Sequence, residues 1–278
     1  MSNQLKIARI QGTLDNLTKK WWLYLLLLLL LFIPAYSSEG YDPRRSVDLV
    51  GQVLSRPLIN SFPLLMPMAK IVPLALFIAL LAYRNRMKRA FDVYVAALYL
   101  ALALFQTTAL TPTFGFVVIS GNLVLMLLVA LSWVWEVVAE RNSFDTPVHV
   151  SWRWWVVPVA FLALLQPVDT TAMSPDFTPL RLITNEAGLT FCMMTPVVLA
   201  TLTLYYPGVN LATLRISSFV GMLFGALNMI IWFGLQPWGW WMGVLHIPLV
   251  LISVFAFVLA HAQGESHLPR AIPVQPRP

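Results

Sequence analysis

The sequence predicts an all-α fold, a polytopic transmembrane bundle of about eight membrane-spanning helices, on three observations. Hydrophobic residues make up 59% of the 278-residue chain and charged residues 11%, where soluble domains carry roughly 25% charged. Apolar runs recur at about the 20 residues a helix needs to cross a bilayer. Those runs are continuous, without the alternation of barrel strands, and only helices or closed barrels satisfy their own backbone in lipid. The single cysteine, Cys192, excludes an internal disulfide and a Cys-based metal or cluster site within the chain. The net charge of +6 calls for no nucleic-acid partner, because topology accounts for most of it.

Residues 1–20 form a polar, mildly basic segment with Lys6, Arg9, Lys19 and Lys20. The first span is expected at Trp21–Tyr36. Its basic lead, short apolar run and small-residue exit (Ala35, Ser37, Ser38) also fit a secretory signal peptide; the reading adopted is an uncleaved anchor. A polar connector, Ser37–Ser61, follows, with Val47–Leu58 as a candidate interfacial helix. The second span, Phe62–Tyr83, carries a full positive charge, Lys70, inside its apolar run and leads into the densest basic cluster, Arg84-Asn85-Arg86-Met87-Lys88-Arg89. Third and fourth spans are expected at Phe91–Leu110 and Phe114–Val138, joined by the turn Thr111-Pro112-Thr113. After a polar loop, Glu140–Ser151, comes the fifth span, Trp152–Pro167, and then a loop, Val168–Leu189, holding Asp169, Asp176, Arg181 and Glu186. The sixth span, Thr190–Tyr206, stops at Pro207-Gly208. The seventh covers Ile216–Leu235 and the eighth Trp238–His261. The transmembrane domain is thus 21–262, and 263–278 reads as a flexible, proline-rich cytoplasmic tail.

Orientation follows from the basic residues. With eight spans and the N-terminus inside, inner segments hold thirteen Lys/Arg against four (Arg44, Arg45, Arg56, Arg181) in outer loops, while acids divide evenly. The positive-inside rule then puts both termini in the cytoplasm of a plasma-membrane protein.

The chain also reads as a candidate 4+4 parallel duplication. Lys20-Trp21-Trp22 with Pro34 is echoed by Arg153-Trp154-Trp155 with Pro167, and Pro73 to Tyr83 by Pro196 to Tyr206. Four spans per half repeat in one orientation, which gives a pseudo-twofold along the membrane normal. Tryptophan belts and span-capping prolines recur in membrane proteins generally, and that is the competing explanation.

Polar residues inside the spans are few, and they fall at one depth. Lys70, Gln106, Asn122, Thr195, Asn228 and His246 each lie roughly 6–12 Å below the outer boundary at ~1.5 Å rise per residue. A charge in hydrocarbon costs at least ~2.5–3.5 kcal/mol, which makes an intramembrane lysine a functional-site hypothesis by default. Snorkelling toward the headgroups is the bland alternative. The six residues either converge on one outward-opening cavity, with Glu186 as counter-ion to Lys70 and Asp176 near the mouth, or serve as separate interhelical hydrogen bonds worth ~0.6 kcal/mol each. Glu136, near an inner end, is expected to pair with loop arginines. Gly221 and Gly225 form a small-xxx-small packing face; Trp238, Trp240 and Trp241 form an interfacial belt.

No motif for metal, phosphate-loop or nucleophile-elbow chemistry stands in the sequence. No cofactor is expected, and the chain is read as a non-enzyme. Two functions fit. One is a transporter or permease that binds a small, anionic solute at Lys70, Gln106, Asn122, Glu186, Thr195, Asn228 and His246. The other is a non-catalytic, membrane-embedded subunit of a larger complex, binding partner chains, lipid or a quinone. The expected partners are membrane lipid, other membrane subunits or a second copy of the chain, and a small polar solute.

Overall fold

The computed structural model describes residues 2–40, 42–145, 147, 151–169 and 172–262; the proline-rich tail lies outside the described residues. Eleven α-helices run in chain order among them: α1 (Ser2–Leu17), α2 (Trp21–Leu30), α3 (Ser46–Ser55), α4 (Leu65–Tyr83), α5 (Lys88–Ala101), α6 (Ser120–Ala139), α7 (Val156–Leu165), α8 (Pro179–Thr184), α9 (Phe191–Tyr205), α10 (Leu211–Met229) and α11 (Trp240–Ala262). Two of them end in wider π-helical turns: Leu102–Gln106 continues α5, and Ile230–Leu235 continues α10.

Among the described residues, four helical segments are long and apolar enough to cross a bilayer: Leu65–Gln106, Ser120–Ala139, Leu211–Leu235 and Pro237–Ala262. A fifth arises if Pro179–Leu189 and Phe191–Tyr205, bent by 85°, make one broken span. Trp21–Leu30 and Trp152–Leu165 are apolar but shorter than a crossing. Apolar side chains on the helix exteriors stay uncovered by protein, as Ile78 (63% exposed) and Val258 (58%) illustrate. Such surface is what hydrocarbon covers.

The sequence boundaries need correction where strands replace helix. Thr108–Thr111 (β2) and Gly115–Val118 (β3) form a hairpin around the Thr111-Pro112-Thr113 turn, and Tyr36–Ser37 (β1) pairs with β3 in the order β1-β3-β2. The cause is local. Thr107, Thr108, Thr111, Val117 and Val118 are β-branched and favour extended backbone. Phe114 and Val117 turn inward on Leu49 and Val53 of α3, which makes a small separate core. The interfacial helix expected at Val47–Leu58 is therefore α3, docked on a sheet. A second, two-stranded sheet pairs Val168–Asp169 (β4) with Ser174–Pro175 (β5). Both sheets lie at the ends of helices, and this pole is called the sheet-bearing end below. The other pole carries α1, the Arg84 elbow and the 140–145 loop. Within residues 1–20, expected only as a polar segment, Ser2–Leu17 form α1.

The main core is shared by α5, α6, α9, α10 and α11. At its centre Trp133 contacts Tyr99 at 6.5 Å and Phe91 at 6.0 Å, and Phe191 reaches Tyr99 and Phe224 at 5.5 and 5.1 Å. Those ring pairs contribute packing beyond the area they bury. The packing role of Gly221 and Gly225 is visible directly. A Cβ on Gly225 would stand 2.7 Å from Val250, so α10 and α11 approach closely only because these positions lack one.

Candidate functional site

Lys70 is the sixth residue of α4, and only 4% of it is exposed. Its ammonium does not snorkel. Nζ donates to the carbonyl of Leu182 at 2.6 Å and to that of Leu165 at 3.1 Å. Leu165 is the last residue of α7, and Leu182 lies in the last turn of α8. Helix C-termini carry unpaired carbonyls and a partial negative charge, so the cation sits where two such ends converge. Asn185 closes the same junction: its Nδ2 donates to the carbonyls of Leu165 (2.9 Å) and Gln166 (3.0 Å), and its Oδ1 accepts from the Ala187 amide. Gly188 permits the approach, since a Cβ there would fall 2.5 Å from the Ala69 backbone. Glu186 is half-buried and within electrostatic reach of Lys70. An ammonium has three N–H donors; backbone takes two.

The other sequence-selected residues lie toward the same end of their helices, and all but Asn122 take separate partners. The Gln106 Oε1 accepts from the Phe191 amide at 2.9 Å, capping the start of α9. Thr195 Oγ1 accepts from the Tyr99 hydroxyl at 3.2 Å. Asn228 donates to the Phe224 carbonyl at 2.8 Å and accepts from Trp232 Nε1 at 3.2 Å. His246 is 5% exposed, and its Nδ1 lies 2.7 Å from the Met242 carbonyl one turn back. Asn122 is the third residue of α6, far shallower than an α-helix starting at Phe114 would place it. Among the described residues no side-chain hydrogen bond engages it. The hydrogen bonds thus join Lys70 to the α7 and α8 ends and Gln106 and Thr195 to α9 and α5, but they link none of the six to another. Of the expected tryptophan belt, Trp241 is also a tie, donating to the Pro167 carbonyl at 2.7 Å.

The loop beside this junction is held by charge. Arg181 pairs with Asp169 at 3.1 Å and with Asp176 at 3.2 Å, bracing the β4–β5 sheet against α8. Hydrogen bonding from Thr178, hydroxyl and amide, holds the Asp176 carboxyl below its ordinary pKa.

A second constellation, which the sequence reading missed, occupies the opposite pole. Glu136 (0% exposed) accepts from the Asn142 amide and from Asn210 Nδ2, both at 2.6 Å. This corrects the expected pairing of Glu136 with loop arginine side chains. Asn142 Nδ2 donates to Asp92 at 2.8 Å, and Asn142 Oδ1 accepts from the Asn210 amide at 2.8 Å. Gln11, on α1, donates to Asn210 Oδ1 at 3.0 Å and accepts from Trp135 Nε1 at 2.8 Å. Beside them Arg215 (1% exposed) donates through Nε and Nη2 to the Ala260 carbonyl, at 3.1 and 2.8 Å. Apart from Asn142 and Glu136, six residues apart, and Arg215 and Ala260, 45 apart, the partners stand 50 to 199 residues apart in sequence. Three of them belong to a terminal segment or to turns that read as polar surface. No local spacing announces the network; Glu136 and Asp92 on spans were the one available signal.

No protein-family model, no curated protein and no solved structure matches the chain.

Proposed function

We propose that the chain is a permease-like plasma-membrane protein that binds a small anionic solute at Lys70, with both termini cytoplasmic. The observation that carries this reading is the Lys70 junction itself. A buried ammonium sits between the carbonyl ends of two short helices, α7 and α8, the second of which belongs to the first arm of a helix pair bent by 85°, with one N–H left over from its two backbone bonds. Interrupted and unusually short apolar helices in corresponding places of two repeats are the best structural pointer to a transporter's site.

The order of elements supports such a repeat. A short apolar helix (α2, α7) leads to a strand (β1, β4) and a short helix (α3, α8). A proline-bearing helix follows, α4 with Pro73 and α9 with Pro196, each entered through a 3-10 turn, Leu58–Ser61 or Glu186–Leu189. Next come a helix that ends in a π-turn (α5, α10) and a last long one (α6, α11). Splitting Leu65–Gln106 at Arg84 and counting the short helices gives four spans in each series. Lys70 stands one turn before Pro73, and Thr195 directly before Pro196. In this arrangement a carboxylate or phosphate group takes the free donor of Lys70, Glu186 modulates its charge, and Gln106, Thr195, Asn228, His246 and Asn122 become available as their helices shift.

The test is uptake by reconstituted vesicles offered a panel of labelled small carboxylates (acetate, lactate, succinate, glutamate) and phosphate. At least one is expected to enter with wild type and to be lost with Lys70→Met and weakened with Glu186→Gln. A second reading, a non-catalytic subunit of a membrane complex, draws support from the separate satisfaction of Gln106, Thr195, Asn228 and His246. Co-migrating chains in a mild-detergent purification, with no uptake of any solute, would favour it.

A further inference from the structure

The Arg84–Met87 elbow faces a surface depression that neither the Lys70 junction nor the buried Glu136 network uses. Its volume is about 330 Å³, and Ala82, Tyr83, Arg84, Asn85, Arg86 and Asp145 line it. The backbone is shaped there: α4 ends at Tyr83, and Arg84 takes a φ of +53°, which turns the chain sharply into a 3-10 turn before α5 starts. A non-glycine residue in that region is uncommon and is held by its surroundings. What holds it is Asn85. The Asn85 Oδ1 accepts from the Phe144 amide at 2.6 Å, and its Nδ2 donates to Ser143 Oγ at 3.3 Å, fastening the elbow to the 140–145 loop. Ser143 in turn donates to Asp145 at 2.9 Å. The acid is thereby engaged within its own loop. Lys88, the next cation, is spent on Glu140, donating to its carbonyl at 2.8 Å. Arg84 and Arg86 remain, exposed, and among the described residues neither forms an ion pair.

We propose that this elbow is a binding site for the phosphate of an anionic phospholipid headgroup. The chemistry is that of two guanidiniums, which match phosphate oxygens in bidentate fashion, set on an open, shallow surface depression. The position selects lipid over a soluble phosphate. The depression opens at the last residue of an apolar 19-residue helix, beside Tyr83 (61% exposed), an aromatic of the kind that marks the headgroup level. Basic pockets at such boundaries bind lipid headgroups, and each basic side chain near the surface adds to the attraction. The site is independent of the transport reading and needs only that the chain sit in a bilayer.

Native mass spectrometry of the detergent-solubilised protein, titrated separately with phosphatidylglycerol and phosphatidylcholine, tests the proposal. Wild type is expected to prefer phosphatidylglycerol by roughly tenfold or more, and Arg84→Asn with Arg86→Gln to remove that preference. Arg84 stands at φ +53° and ψ −132°, outside the left-handed well that asparagine favours; the single Arg86→Gln, which leaves that backbone position alone, is expected to lose part of the preference and covers a double variant that fails to fold. Lys19→Gln with Lys20→Gln, at exposed positions elsewhere, is expected to leave the preference intact. An unchanged preference in the arginine variants, or an equal loss in the lysine variant, overturns the proposal. So does tight binding of soluble glycerol 1-phosphate at the arginines without any preference among lipids.

Discussion

The two poles of the bundle use polar side chains in opposite ways. At the sheet-bearing end, Gln106, Thr195 and His246 each take one partner, Asn228 takes Phe224 and Trp232 on its own helix, and Lys70 is held by backbone alone. At the other pole Gln11, Glu136, Asn142 and Asn210 share one network that ties α1, α6, the 140–145 loop and the start of α10 together. Deleting a member of the first set removes one or two bonds of that residue's own; deleting a member of the second strands several buried groups at once. The lesson is that polar residues at a common depth need not cooperate, while residues from unremarkable turns can. On the reading proposed above, a cation held by helix ends keeps one N–H for a solute, whereas the Glu136 carboxylate is enclosed by amides.

The largest expected effect is on the network. Asn210→Ala strips the donor from buried Glu136 and the N-cap from α10, at a cost of about 3 kcal/mol in detergent unfolding. Combined with Gln11→Ala, its effect should be less than additive, because the two side chains bond each other. The same variant should also release α1 to proteolysis. Additive losses would dissolve the contrast between the poles.

Lys70→Met comes next, at about 2 kcal/mol, because it leaves the α7 and α8 carbonyl ends without their cation. Thr195→Val should cost about 1 kcal/mol, the worth of the single bond from Tyr99, and it should add to Lys70→Met without coupling. Strong coupling between these two would mean that they already share a cavity, and would blur the comparison from the other side.

The mostly helical, apolar character was legible because hydrocarbon imposes a long, simple signal on sequence, although four segments rather than eight reach the length of a crossing, or five with the bent pair. Trp21, Lys70, Arg84 and Pro207 all mark features the structure keeps. The sheets were hidden because Thr108–Thr111 and Gly115–Val118 are apolar enough to pass as the ends of neighbouring spans. Lys70 stood out as a charge where charge is expensive, yet its partners are backbone carbonyls, which no sequence can advertise. The Glu136 network was illegible for a different reason. Asn142 and Asn210 sit in turns, where asparagine is ordinary, and only folding reveals that those turns are buried.

The smallest effect concerns the loops. Hydrogen bonding from Arg45 lowers the pKa of Asp48, and hydrogen bonding from Thr178 lowers that of Asp176. A depressed carboxylate contributes stability that is complete above its unfolded pKa of ~3.9 and is lost as pH falls through the lower folded value. The melting difference between wild type and Asp176→Asn should therefore hold steady from neutral pH to about 5 and shrink below about 4. A difference that grows on acidification would reverse the assignment.

The claim at the centre is that Lys70 receives a solute while the opposite pole only holds the bundle together. Ligand-dependent thermal stabilisation of purified protein, across the carboxylate and phosphate panel, addresses it directly. One member of the panel should raise the melting temperature of wild type and of Asn210→Ala by similar increments and leave Lys70→Met unmoved. An increment retained in full by Lys70→Met would contradict the account.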